Sequence, residues 1–161
     1  MSRNVGMSSA TSFPEQARTL GALLRAPYRL LSERVYTCLA EKGFKEIRPA
    51  HSAVFRHISP SGSRLTTLAD EAGLTKQSMA YLVDHLCKHK YLCVAPDPDD
   101  GRARLVRLTA RGRALIDALL AASTAVERDV AKVMGKEQIE SLRQCLTALQ
   151  TALLGNAKAD N

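Results

Sequence analysis

Tryptophan is absent from the chain, and aromatic residues make up only 4% of its 161 positions. A sheet-rich sandwich built on large aromatic side chains is thereby disfavoured, and the abundance of Leu and Ala points to helices. Cysteine is also scarce: Cys38, Cys87, Cys93 and Cys145 are scattered without a CxxC pair. That leaves a disulfide framework or a zinc knuckle without support and suggests free, mostly buried thiols. The longest mainly apolar run, ALIDALLAASTAV, is short and holds Asp117, and the opening MSRNVGMSSATSF has no apolar core. No membrane span or secretory signal is therefore expected, and the chain reads as cytoplasmic. Glycine-rich phosphate loops, nucleophile elbows and ligand-spaced metal clusters are missing too, so no enzyme, catalytic residue, metal or cofactor is expected.

What is present is a basic, helix-forming chain. Its net charge is +7 and 45% of its residues are hydrophobic, enough for one domain with a real core. Such a charge suits nucleic acid, an anionic surface or acidic ligands as partners. The excess lies before residue 114, whereas 114–161 carries one net negative charge, so the last third is not the anion-binding part.

Apolar residues recur at helical spacing over 14–42 (Ala17, Leu20, Leu23, Leu24, Leu30, Leu31, Val35, Leu39), with Gly43 as a stop and a kink or break expected at Pro27. A short helix follows Pro49 and ends at the turn-forming SPSGS of 59–63. Residues 64–92 read as two short helices joined by a tight turn. Thr66 or Thr67 is the expected first cap, the latter with Asp70 as a capping box, Gly73 the left-handed stop and Thr75 the second cap. That is the helix-turn-helix outline. In its second helix Met79, Leu82, Val83 and Leu86 form the buried stripe, and Gln77, Tyr81, Asp84 and Lys88 face the opposite way.

Two short β-prone runs, Tyr91–Val94 and Leu105–Thr109, flank PDPDDGRAR and make 91–109 a hairpin with a long tip. A long helix follows over 110–134. Another over 136–154 carries Ile139, Leu142, Leu146, Leu149 and Leu153 in a heptad seam suited to a partner. The expected organisation is a disordered tail at 1–12, a dimerising N-terminal helix region at 13–48, a winged helix-turn-helix at 49–112, dimerising helices at 113–154 and a second tail at 155–161. The fold class is mainly α with a small β-hairpin wing.

With a helix-turn-helix leading directly into a hairpin, residues 65–112 resemble the core of the MarR family of transcription regulators. The wing carries the resemblance most specifically, through DPDDGR at 97–102, LT at 108–109 and Gly112. It implies a homodimer held by its terminal helices, bound as a repressor to double-stranded DNA at a pseudo-palindromic operator. A small ligand, often an aromatic anion, would release it. The recognition helix would enter the major groove with Gln77, Ser78 and Tyr81 at base edges, Lys76 and Lys88 on phosphates, and Thr75 fixing register. The wing would present Arg102 and Arg104, with Asp100 holding Arg102 by an ion pair so that its guanidinium enters the minor groove. Three departures bear on this. Tyr81 and Val94 stand where arginine is frequent in the family, and Lys90 where glycine ends the recognition helix.

Other chemistries fit less well. A calcium loop needs a third acid where Gly101 stands, and three arginines follow it. His85 and His89 have the i, i+4 spacing of a metal pair without an identifiable third ligand. His51 and His57 read as solvated or hydrogen-bonded. Cys38 keeps a cysteine-oxidation-responsive regulator of the same fold as one alternative, and a winged-helix protein-interaction module is the other.

Overall fold

The structure is a computed structural model that describes residues 18–156; the expected tail at 1–12 and residues 157–161 lie outside them. In chain order the elements are α1 (Leu20–Glu41), a 3-10 turn (Pro49–His51), α2 (Ser52–Phe55), β1 (Ser63–Arg64), α3 (Leu65–Glu71), α4 (Lys76–Lys88), β2 (Leu92–Pro96), β3 (Arg104–Leu108), α5 (Ala110–Met134) and α6 (Lys136–Asn156). The chain is mainly helical with a small antiparallel sheet in the order β1-β3-β2. Helices α3 and α4 are the helix-turn-helix and β2–β3 the wing.

Three details bear on the sequence expectations. Of the kink or break expected at Pro27, the break does not occur, and helix α1 continues through it. The Leu23 carbonyl that loses its N–H partner lies on an exposed stretch, where water can satisfy it. Helix α3 starts at Leu65 with Arg64 at its N-cap and no side-chain cap bond, so Thr66 and Thr67 lie within it. The cause is β1, which pairs Ser63 with Val106 and Arg64 with Leu105 and delivers extended backbone directly into the helix. Finally, α6 continues to Asn156, past the expected end at 154.

Three helices stop by the same device. The amide two residues past the cap reaches back to a carbonyl in the last turn, as in Phe44 N to Leu39 O (3.0 Å), Leu74 N to Ala69 O (2.9 Å) and Tyr91 N to Leu86 O (2.9 Å). Each requires a left-handed residue between. Gly43 and Gly73 supply two of them, but Lys90 supplies the third at φ 62°. Tyr91 and Leu86, both fully buried, make the apolar contact that holds this last stop in place.

The wing then joins α5 through Thr109. Its hydroxyl accepts from the Gly112 N–H at 3.0 Å, capping α5, and donates to the carbonyls of Lys90 and Tyr91. A Cβ on Gly112 would lie 2.1 Å from the Tyr91 carbonyl oxygen, so glycine is required there for α5 to approach the strand.

A single core draws Leu39 from α1, Val54 from α2, Leu68 from α3, Met79, Val83 and Leu86 from α4, Leu92 and Val106 from the sheet and Leu115 from α5. The first half of α1 and most of α6 stay outside it. There Leu20, Leu23, Leu24, Tyr28, Leu30 and Leu31, and Leu142, Leu146, Leu153 and Leu154, are exposed.

Replacing Lys90 by glycine is expected to raise the unfolding free energy by about 1 kcal/mol, because an L side chain is strained at positive φ. A urea midpoint that moves up at constant slope is the expected result, and an unchanged or lower midpoint contradicts it.

Candidate nucleic-acid interface

Helix α4 is oriented by its buried stripe of Met79, Val83 and Leu86. The stripe turns Lys76, Gln77, Ser78, Tyr81, Asp84 and Lys88 outward, all exposed. Tyr81 is 76% exposed, a costly way to leave a large ring in water. Thr75 caps the helix as expected. Its Oγ1 accepts the Ser78 N–H at 3.1 Å and donates to the Ser78 hydroxyl at 2.8 Å, which fixes the start of the exposed face.

The wing is built differently from what the resemblance implied. Asp100 forms no ion pair with Arg102: its Oδ1 accepts the Arg102 backbone N–H at 3.1 Å, and its Oδ2 accepts from Arg64 at 3.2 Å. The same Arg64 nitrogen donates to Asp97 at 3.0 Å. The cause is again β1, which places Arg64 opposite Leu105 beside the hairpin. Asp97 is more than a turn residue. Its side chain is only 9% exposed, and its carboxyl is held below the usual carboxylate range, first by the Asp99 N–H and then by Arg64. Arg102 and Arg104 are exposed and make no ion pair among the described residues.

The histidines do not form a metal site. His51 stacks on His85 with ring centroids 4.7 Å apart, and His85 meets His89 at 4.6 Å. Stacked faces do not converge ring nitrogens on one ion. His51 Nδ1 accepts the Arg48 N–H at 3.0 Å, and His85 Nε2 lies 3.2 Å from the Glu46 carbonyl. No group of three or more potential metal ligands exists among the described residues. Of the cysteines, Cys87 is half-buried, and burial pushes its thiol up, away from the reactive thiolate. His57 sits 3.6 Å from Glu71.

A cleft of about 770 Å³ lies beside the exposed face. Tyr28 of α1, Ser52 of α2 and Arg56 just after it line the cleft together with Gln77, Ser78 and Tyr81 of α4. Neither Arg56 nor Arg64 is among the residues the sequence singles out. A two-residue strand has no readable period, and a lone Arg after a short helix no motif.

This geometry, a solvent-facing polar helix beside an arginine-tipped hairpin, defines a winged helix-turn-helix protein. The MarR family model matches residues 46–103. Solved structures of the same fold include the transcriptional regulator Tm0710 of Thermotoga maritima (23% identity, 86% of this chain and 96% of that one, TM-score 0.62). Another is CouR of Rhodococcus jostii RHA1, bound to p-coumaroyl-CoA (22% identity, 83% and 92%, TM-score 0.62). CouR is also seen on a 23-mer DNA duplex (22%, 85% and 96%, TM-score 0.62). Bordetella bronchiseptica BpsR, whose DNA binding is regulated by 6-hydroxynicotinic acid, is a third (18%, 83% and 94%, TM-score 0.62). No curated protein matches the chain significantly. No helix among the described residues is long and apolar enough to cross a membrane.

The buried imidazole gives stability a pH dependence. Burial, then the charges of His85, Arg48 and His89, lower the His51 pKa to about 4. The unfolded chain takes up this proton near 6.5, so the stability from neutral His51 is complete above about 6.5 and is lost as pH falls toward about 4. The loss is on the order of 3 kcal/mol. His51→Asn, which keeps an acceptor for Arg48, is expected to flatten urea-derived stability over that window; an unchanged slope contradicts the assignment.

Proposed function

We propose that the chain is a homodimeric transcriptional repressor that binds a pseudo-palindromic operator in double-stranded DNA and is released by a small aromatic anion. The observation that carries this is the continuous exposed face of Gln77, Ser78, Tyr81 and Lys88 beside the unpaired Arg102 and Arg104. A helix of this width fits the major groove, and arginine suits the narrow, strongly negative minor groove. Thr75, Lys76 and the first amides of α4 are placed to fix register on phosphate. CouR's DNA-bound structure supports the same use of the fold.

The exposed leucines of α1 and α6 support dimerisation, since so many large apolar side chains on two helices are rarely left in water. A second subunit would present a second α4, as successive major grooves on a two-fold operator require. The cleft supports a ligand-responsive regulator. It is within the range of small-molecule sites, Arg56 offers a cation for an anionic group, and Tyr28 and Tyr81 offer ring faces. The ligands named for CouR and BpsR both join an aromatic ring to an anionic group.

Duplex binding measured against salt is the decisive experiment. Log affinity is expected to fall linearly with log salt, at about −0.9 per phosphate contacted; binding that is absent or insensitive to salt rejects the proposal. Arg102→Ala is expected to weaken selected duplexes by about tenfold without changing the sedimentation coefficient. Leu24→Glu combined with Leu146→Glu is expected to yield a monomer by ultracentrifugation and to abolish operator binding. A dimer that survives both charges refutes the terminal-helix interface.

A further inference from the structure

The tip of the wing is acidic on its own. Between Pro96 and Arg104 it holds Asp97, Asp99 and Asp100 against Arg102 and Arg104. A net negative loop is a poor instrument for approaching phosphates, and the cation that corrects it comes from outside the hairpin.

We propose that Arg64 is a positioning residue for DNA binding: it takes up both wing carboxylates, fixes the tip against the helix-turn-helix, and so leaves Arg102 and Arg104 free for the nucleic acid. This rests on the DNA-binding reading above. One guanidinium nitrogen reaches Asp97 at 3.0 Å and Asp100 at 3.2 Å. The backbone beneath it is held on both sides, by strand pairing with Leu105 and by the first turn of α3, so the guanidinium is delivered from a rigid element. The two acids in turn bracket the tip. Asp97 N donates to the Ala103 carbonyl at 3.0 Å, and Ala103 N donates to the Asp100 carbonyl at 2.8 Å. Holding both carboxylates therefore holds the turn that carries Arg102, whose own amide donates to Asp100. Arg107 adds positive charge against Asp97 from β3. Exposed ion pairs contribute little to stability. The effect of this one lies in where it leaves the remaining charges.

The rival role is direct contact of Arg64 with a phosphate, because its side chain is 49% exposed. A double-mutant cycle separates the two, using full-length protein and duplexes it selects from a random-sequence pool, read by fluorescence anisotropy at fixed salt. Arg64→Ala is expected to lower affinity by about tenfold, and less than about threefold when Asp97→Asn and Asp100→Asn are already present. In the wild-type background it is also expected to speed amide hydrogen exchange at Ala103 and Arg102 in the free protein, with helix content by circular dichroism unchanged. An equal loss in both backgrounds assigns Arg64 to the DNA and overturns the proposal. Wild-type affinity in Arg64→Ala overturns it while leaving the DNA-binding reading intact, whereas a wild-type protein that binds no duplex overturns both.

Discussion

Tyr91 is the residue on which the arrangement of the winged helix depends. Its amide closes α4 on the Leu86 carbonyl, its carbonyl accepts both the backbone N–H and the hydroxyl of Thr109, and its ring is fully buried. Its hydroxyl donates to Glu46 at 3.0 Å and accepts from Arg111, whose guanidinium lies 4.6 Å over the ring. One side chain and its peptide groups thus join the end of the recognition helix, the start of the wing, the start of α5 and the loop after α1. Burial raises the tyrosine pKa, so the phenol stays protonated and keeps donating. The tight fit at Gly112 and the left-handed Lys90 follow from the same constraint, since both let the chain turn sharply on either side of this ring. Hydrogen-bonded buried polar groups of this kind specify geometry more than they add net stability.

Charge in the winged-helix half is sorted by location. Four acids there are engaged by partners off the exposed face of α4, Asp97 and Asp100 by Arg64, Glu46 by Tyr91 and Arg111, Glu71 by His57, while Asp84 stays in solvent on that face. The cations of α4 and the wing tip are left in solvent. The same net charge of +7, spread over randomly paired groups, would give a weaker and less directional field. On the proposed DNA-binding reading, acidic side chains near the exposed face are compatible with binding, because Asp97 and Asp100 are taken up by Arg64.

Legibility from sequence followed the range of the interactions. Helices α4 and α5 were readable because their apolar positions repeat at the helical period, and the cap of α4, Thr75, lies within four residues of what it caps. The left-handed strain at Lys90 was readable from the missing glycine. Contacts that join distant segments were not. Arg64 meets Asp97 across 33 positions of sequence, through a strand too short for any alternation, and so the partner of Asp100 was misassigned. That strand also displaced the expected cap of α3, and the stacking of His51 on His85 rests on two elements with no shared motif. At Pro27 the choice between a kink and a break depended on whether water could reach the freed carbonyl, and exposure cannot be read from a helical pattern alone.

The cleft and the recognition helix share residues, and this constrains how any regulation through the cleft can work. Gln77, Ser78 and Tyr81 line the cavity and also form the start of the exposed face proposed to meet DNA. On that reading, a ligand held there by Arg56 and Tyr28 would compete for the same side chains that are proposed to approach the bases. Displacement then follows from occupancy as well as from any rearrangement of the dimer. Either route needs a ligand that binds the free protein better than the DNA-bound one, since equal affinity for both would shift nothing. The overlap would supply that difference locally, because a Tyr81 side chain engaged by a bound aromatic anion would be unavailable to the groove.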